Sequence, residues 1–266
     1  MKKTIIALLA LSGIVSAASS LPQIVGGADA VNQLAASIKI STSNGSLTDV
    51  RETHIDNVWG NGDVTSNGKV NFSGSYTVGE NGTFSTTSQG DGLDIYMNSL
   101  FDVNAGDITL SFTADLTSGS AGKLLTFGEA TNWSYSLNVD AEGNLTGITS
   151  NGYAATSTIS SSLGNISGSH DYVLSWASPA NFANSGVTNE NDRIITLFVD
   201  GAVALQVEVA NQNYGSAWLT HYYFGSGLDA TYSNVEFHRG SIIPEPTTAT
   251  LSLLALAALA ARRRRK

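Results

Sequence analysis

The sequence predicts an all-β, antiparallel sandwich, and three observations lead to it. Apolar and polar residues alternate over many short runs, the period of a half-buried strand. Asn-Gly and Asp-Gly pairs recur between those runs, and such pairs favour the tight turns of hairpins. No stretch between residues 20 and 240 carries a helical apolar period, and no repeat of ~20–50 residues stands out. Many short strands with regularly spaced turns make a sandwich.

The elements follow in order. Ser37 to Ser41 is the first alternation, with Ile38 and Ile40 on one face. Residues 44–68 are turn-rich, punctuated by Asn44-Gly45, Asn61-Gly62 and Asn67-Gly68. Val70 to Val78 is a weak strand, with Thr83 to Thr87 its partner. Asn81-Gly82 joins them, since both central residues of a type I′ turn need positive φ. From Leu93 onward the signal strengthens. Ile108, Leu110 and Phe112 alternate with Thr109, Ser111 and Thr113. Lys123 to Phe127 comes next, then Tyr135, Leu137 and Val139 with Ser136 and Asn138 between them. Asp140 to Asn144 turns the chain into Leu145 to Thr149. Tyr172, Leu174 and Trp176 form another alternating set, which puts Trp176 in the core. Ile194 to Val199 runs into Asp200-Gly201 and returns through Val203, Leu205, Val207 and Val209. His221 to Phe224 and Asn234 to Phe237 finish the domain. No linker divides residues 36–240, although the weaker strands before Gly90 make a cut there conceivable.

Both ends read as processing signals. Lys2 and Lys3, the apolar run Ile5 to Val15 and the small residues Val15-Ser16-Ala17 form a secretory signal peptide, a helical segment cleaved after Ala17. Residues 18–35 are an irregular leading segment. The far end, residues 241–266, holds Pro244-Glu245-Pro246, an uncharged run from Ala249 to Ala261, and a basic cluster of Arg262, Arg263, Arg264, Arg265 and Lys266. Leu and Ala make that run helical. At ~1.5 Å per residue it reaches about 20 Å, short of a ~30 Å hydrocarbon core. It spans only with help from tilted flanks, thinning or snorkelling arginines. The terminal charges mark the cytoplasmic side.

This tail resembles the PEP-CTERM sorting signal of Gram-negative bacteria. The resemblance implies recognition by an exosortase-type sorting protease at the inner membrane, cleavage near the PEP motif, and release to the cell surface or extracellular matrix. The alternative is an ordinary C-terminal membrane anchor.

Composition narrows the partners. The chain has 13 basic and 22 acidic residues among 266. Removing Lys2, Lys3 and the five terminal basic residues leaves six of those 13, so the mature domain is strongly acidic. An acidic surface repels phosphate backbones, which argues against nucleic acid. Cysteine is absent, so stability comes from packing rather than disulfides.

A second resemblance covers residues 91–238. Asp107 to Phe112, Lys123 to Gly128, Trp133 to Leu137, His170 to Trp176 and Thr196 to Gly201 follow the strand order of the laminin-G-like, concanavalin A-like lectin/glucanase superfamily. The resemblance implies a jelly roll of two antiparallel sheets that binds sugars or proteins and sometimes holds calcium. It names no ligand, because function lives in sites grafted on the fold.

The chemistry is sparse. Retaining glucanases of that superfamily carry Glu-x-Asp-x-Glu on one strand, which puts the carboxylates on one face. This chain has no such triplet, and Glu190-Asn191-Asp192 reads as a solvated turn. His54, His170, His221 and His238 lack zinc-ligand spacing. His170 reads as a strand-opening residue and His221 as a hydrogen-bonded neighbour in an aromatic strand. No nucleophile elbow or phosphate loop exists. Calcium is the one cofactor the sequence leaves room for, with oxygen ligands in turns at Asp91 and Asp94, Asp102 and Asn104, or Glu190 and Asp192. Sugar-binding sandwiches pair an exposed aromatic ring with Asn or Asp. The candidate ligand platform is Trp133 with Asn132, and Trp218 with Tyr214.

The sequence therefore predicts a non-catalytic surface or matrix protein that binds polysaccharide or glycoprotein. A purely structural surface component is the alternative, and a glycoside hydrolase or lyase ranks last.

Overall fold

The computed structural model describes residues 24–25, 37–51, 70–97, 107–129, 133–151, 157–177, 193–209, 221–239 and 241–242. They form β1 (Ile24–Val25), β2 (Ser37–Ser43), β3 (Ser46–Arg51), β4 (Asn71–Gly74), β5 (Thr77–Val78) and β6 (Phe84–Thr86). Next come β7 (Leu93–Tyr96), β8 (Ile108–Leu116), β9 (Gly122–Glu129), β10 (Trp133–Val139), β11 (Asn144–Asn151) and β12 (Ser157–Asn165). The last are β13 (Gly168–Ala177), β14 (Arg193–Val199), β15 (Ala202–Val209), β16 (His221–Ser226), β17 (Ala230–Arg239) and β18 (Ser241–Ile242). Among the described residues no helix is long and apolar enough to cross a membrane. The two expected terminal helices lie outside those residues.

The long strands make two antiparallel sheets. One is seven-stranded among the described residues, in the order β12-β11-β10-β9-β16-β7-β4. The other runs β15-β14-β13-β8-β17-β2-β3, with β6 also paired to β17 and β5 to β6, nine described strands in all. β1 pairs with β18 as a separate ribbon. Strands from before Gly90 enter both sheets: β4 pairs with β7 in one and β2 with β17 in the other. The described part of residues 36–90 is thus built into the same sandwich as the rest.

Local chemistry explains the joints. Asn44-Gly45, Asn81-Gly82 and Asp200-Gly201 all have positive φ at both positions, as type I′ hairpin turns require. The Asn44-Gly45 turn makes a strand of residues 46–51, within a stretch that its turn residues mark as loop. Leu47 faces inward there and is buried, so alternation continues past the turn. Val70 to Val78 is not one strand. It breaks at Gly74, whose φ of +104° and contact with the Gly92 carbonyl leave no room for a Cβ. Before the break β4 joins β7; after it β5 joins β6 in the opposite sheet. β12 was invisible to alternation because its serine-rich sequence has no apolar period.

The core lies between the sheets and is rich in rings. Phe84 stacks on Tyr232 with centroids 5.1 Å apart, and Phe112 stacks on Tyr172 at 5.1 Å. Phe224 from the seven-stranded sheet meets Phe84 and Phe112 edge-on at 5.8 and 5.4 Å. Such edge-to-face contacts lock one sheet against the other. Trp176 is buried against Phe127 and Tyr135, as its alternation predicts.

Candidate functional site

The register of the seven-stranded sheet assembles a polar and aromatic surface. Residues paired across antiparallel strands share a face. Asn71 pairs with Tyr96, Tyr96 with His221, His221 with Gly128, and Gly128 with Ser134. One row along, Ser73 pairs with Asp94, Asp94 with Tyr223, Tyr223 with Thr126, and Thr126 with Ser136. The residues between these rows (Ile95, Tyr222, Phe127 and Tyr135) point inward and are buried in the core. Alternation thus sends every ring and carboxylate of both rows to the outer face.

Accessibility changes along that face. At the β9–β10 end Thr126, Ser134 and Ser136 are buried, and the Thr126 and Ser136 hydroxyls hydrogen-bond at 2.8 Å. Toward β4 the face opens. Asn71 and Ser73 are exposed, and Asp94, Tyr96, His221 and Tyr223 are half-buried. The open part covers β4, β7 and β16, two strand spacings or roughly 10 Å across.

Its centre is a stack of three rings. Tyr96 and His221 lie 4.5 Å apart at 25°, and His221 and Tyr223 lie 5.6 Å apart at 6°. His221 Nδ1 sits 3.1 and 3.0 Å from the two carboxylate oxygens of Asp94 and 3.2 Å from the Tyr223 hydroxyl. Nδ1 is the ring nitrogen placed to donate to Asp94. Ser73 Oγ reaches Asp94 only at 3.5 Å, the limit of a hydrogen bond. Burial first, and the Asp94 charge second, push the Tyr223 phenol up to about 12. It therefore stays uncharged and able to donate at neutral pH.

The residues singled out from sequence fall in different places. His221 is the hydrogen-bonded member of an aromatic strand that its neighbours predict. Asp94 is not a turn ligand beside Asp91: it lies within β7, and the alternation of Leu93-Asp94-Ile95-Tyr96 aims it at His221. Among the described residues no group of three or more His, Asp or Glu could hold a metal ion. Asp102, Asn104, Glu190 and Asp192 lie outside those residues. Of the Trp platform, Trp133 opens β10 with its backbone paired to Glu129. Its side chain, with Asn132, Tyr214 and Trp218, lies outside what is described. So do Ala17, Pro244, Glu245, Pro246, Arg262 to Arg265 and Lys266. The sequence reading missed Tyr96 and Tyr223. The signal was there in His221-Tyr222-Tyr223-Phe224, where every second residue is outward, but only the register shows that β7 lies beside β16.

No family model matches the chain, and no curated protein matches it. Solved structures do. A receptor binding domain aligns with a TM-score of 0.51 at 10% identity, over 81% of this chain and 50% of its own. A structure of botulinum neurotoxin type C, which depends on interaction with two ganglioside molecules to enter cells, aligns at 0.51 and 9%, over 80% and 50%. The binding domain of botulinum neurotoxin DC in complex with rat synaptotagmin II aligns at 0.50 and 8%, over 79% and 49%. This chain spans about half the length of those it matches. At such identity the fold is what is shared, an all-β sandwich of two antiparallel sheets.

Proposed function

We propose that this chain is an exported, non-catalytic surface or matrix protein whose sandwich binds carbohydrate on the open outer face of the seven-stranded sheet. One observation carries the reading: the stacked Tyr96, His221 and Tyr223 rings with the Asp94 carboxylate held among them. Sugar C–H faces pack on rings, and sugar hydroxyls need fixed polar partners beside them. The solved structures of like fold include one tied to two ganglioside molecules and one bound to synaptotagmin II, which supports a binding role for the scaffold. Glycoprotein glycans fit the same face. Glycoside hydrolysis needs two carboxyl groups flanking the bond, and Asp94 is the one carboxylate among the described side chains of the open patch.

Export through the signal peptide, a transient stay in the inner membrane and release by an exosortase-type protease make up the proposed route. Mass spectrometry of the secreted protein tests it, and a mature form still carrying Leu251 to Lys266 overturns it. For binding, the test is affinity electrophoresis through gels loaded with soluble polysaccharides. Retention should be lost in a Tyr96→Ala, His221→Ala double variant that keeps its fold. Retention unchanged by that pair sinks the site.

A further inference from the structure

We infer that the β4–β7–β16 patch takes an uncharged sugar, one or two residues long, held through the hydrogens of its hydroxyls; this rests on the reading of that face as a carbohydrate site. The Tyr223 and Ser73 hydroxyls and the Asn71 amide can donate there, but the one charged group of the patch only accepts. Nδ1 of His221 faces both Asp94 oxygens and takes up part of their acceptor capacity. Asp94 is acceptor-only, and its two oxygens have about four lone-pair sites between them. Nδ1 and the distant Ser73 hydroxyl leave some of those sites open, and the Asp94 side chain keeps 15% of its surface accessible. A patch centred on a carboxylate selects a ligand that can give it hydrogens. A hydroxyl can give its hydrogen to Asp94, whereas sulfate, phosphate and carboxylate groups have none to give. An anionic group would also face the Asp94 charge with no lysine or arginine among the described side chains of the patch to offset it.

Length follows from what bounds the patch. On one side Thr126, Ser134 and Ser136 are buried, and on the other β4 is the last of the described strands of the sheet. The accessible span, roughly two strand spacings, suits one or two pyranose rings rather than a long chain laid across the sheet. A larger glycan reaches the patch by its end, over β4.

Calorimetric titration of the full-length chain with neutral hexoses and their di- and trisaccharides, and with uronate, sulfated and phosphorylated counterparts, tests this. The expected result is binding of the neutral sugars, at least tenfold weaker binding of each charged counterpart, and no more than a severalfold gain from disaccharide to trisaccharide. Asp94→Asn should weaken neutral-sugar binding at least tenfold and shrink the penalty on the uronate. Equal or tighter binding of the charged sugars by the unaltered chain overturns the inference and leaves the face a sugar site. A tenfold or larger gain at the third residue overturns the length. No binding of any sugar, or binding untouched by Tyr96→Ala and Asp94→Asn in folded protein, overturns the reading of the face itself. The charge series on the unaltered chain decides even if a variant fails to fold.

Discussion

Two histidine–aspartate–tyrosine groups occur in this sandwich, one per sheet, and they do different work with the same residue types. In the nine-stranded sheet His170 Nδ1 lies 2.7 Å from Asp200 Oδ2, and the Asp171 amide donates to Asp200 Oδ1 at 3.0 Å. Asp200 itself sits at the tip of a hairpin with φ of +50°, its side chain 56% exposed. That pair fastens a turn to the neighbouring strand. Its tyrosine, Tyr172, is buried in the core, and among the described residues its hydroxyl has no hydrogen-bond partner. In the seven-stranded sheet the pair joins two neighbouring strands, His221 opening β16 and Asp94 in β7, and His221 lies between two outward rings. Its tyrosine, Tyr223, stacks on the histidine and touches Nδ1. What separates the turn fastener from the proposed recognition surface is the face to which the register sends each group.

The largest expected difference is in ligand binding. His221→Ala should weaken sugar binding at least about tenfold, the equivalent of ~1.4 kcal/mol. His170→Ala should leave binding unchanged and cost about 0.5–1.5 kcal/mol of stability, the net worth of one hydrogen bond. Titration calorimetry and urea unfolding on both variants check the pair. Equal binding losses would erase the distinction.

The two tyrosines sharpen it further. Tyr172→Phe removes a buried hydroxyl that has no partner among the described residues, so the variant should be as stable as the parent or more so, by up to about 1 kcal/mol. Tyr223→Phe should change stability by less than about 1 kcal/mol while weakening sugar binding severalfold, because the lost hydroxyl faces the ligand. A large destabilisation in Tyr172→Phe would mean that its hydroxyl has a partner after all.

Much of the sandwich was legible because its strands are half-buried and alternate. Ile108 to Phe112, Tyr135 to Val139 and the Ile194–Val209 hairpin announce themselves by period and turn residues alone. The parts that were not legible fail for specific reasons. β12 has only Ile159 and Leu163 among serines, too few to show a period, and Ser46–Arg51 follows a turn pair in a polar stretch. Val70–Val78 hides a change of sheet at one glycine. The site was legible only by halves. His221 could be read as a hydrogen-bonded member of an aromatic strand, but Asp94, 127 positions earlier in the chain, becomes its partner only through pairing between β16 and β7. Sequence separation of that size hides a site because nothing local specifies which strands become neighbours.

Alkaline unfolding should be the next effect in size. Ordinary tyrosine ionises near pH 10. Burial, with a smaller push from the Asp200 charge, holds the Tyr172 phenol well above that, and burial does the same to Tyr232. A folded-state value raised above the unfolded one means that stability is whole below about pH 10 and falls as pH climbs past it. Tyr223 ionises within the fold at about 12, whereas Tyr172 should ionise only as the protein unfolds. Ultraviolet titration of phenolate against circular dichroism separates the two, and Tyr172→Phe should blunt the loss more than Tyr223→Phe does.

The smallest effect lies at the acid end and belongs to the turn-fastening pair. The hydrogen bond from His170 chiefly, and the Asp171 amide next, hold the Asp200 carboxyl below the usual aspartate range. A depressed value contributes stability that is present above about pH 4, where free aspartate titrates, and is lost as pH falls through Asp200's own lower value. Solvent screens this exposed side chain, so the contribution stays below about 1 kcal/mol. Asp200→Asn should flatten that acid limb of the stability curve and leave sugar binding at pH 7 unchanged. An Asp200→Asn chain that lost sugar binding would join the two groups into one functional unit and undo their separation by face.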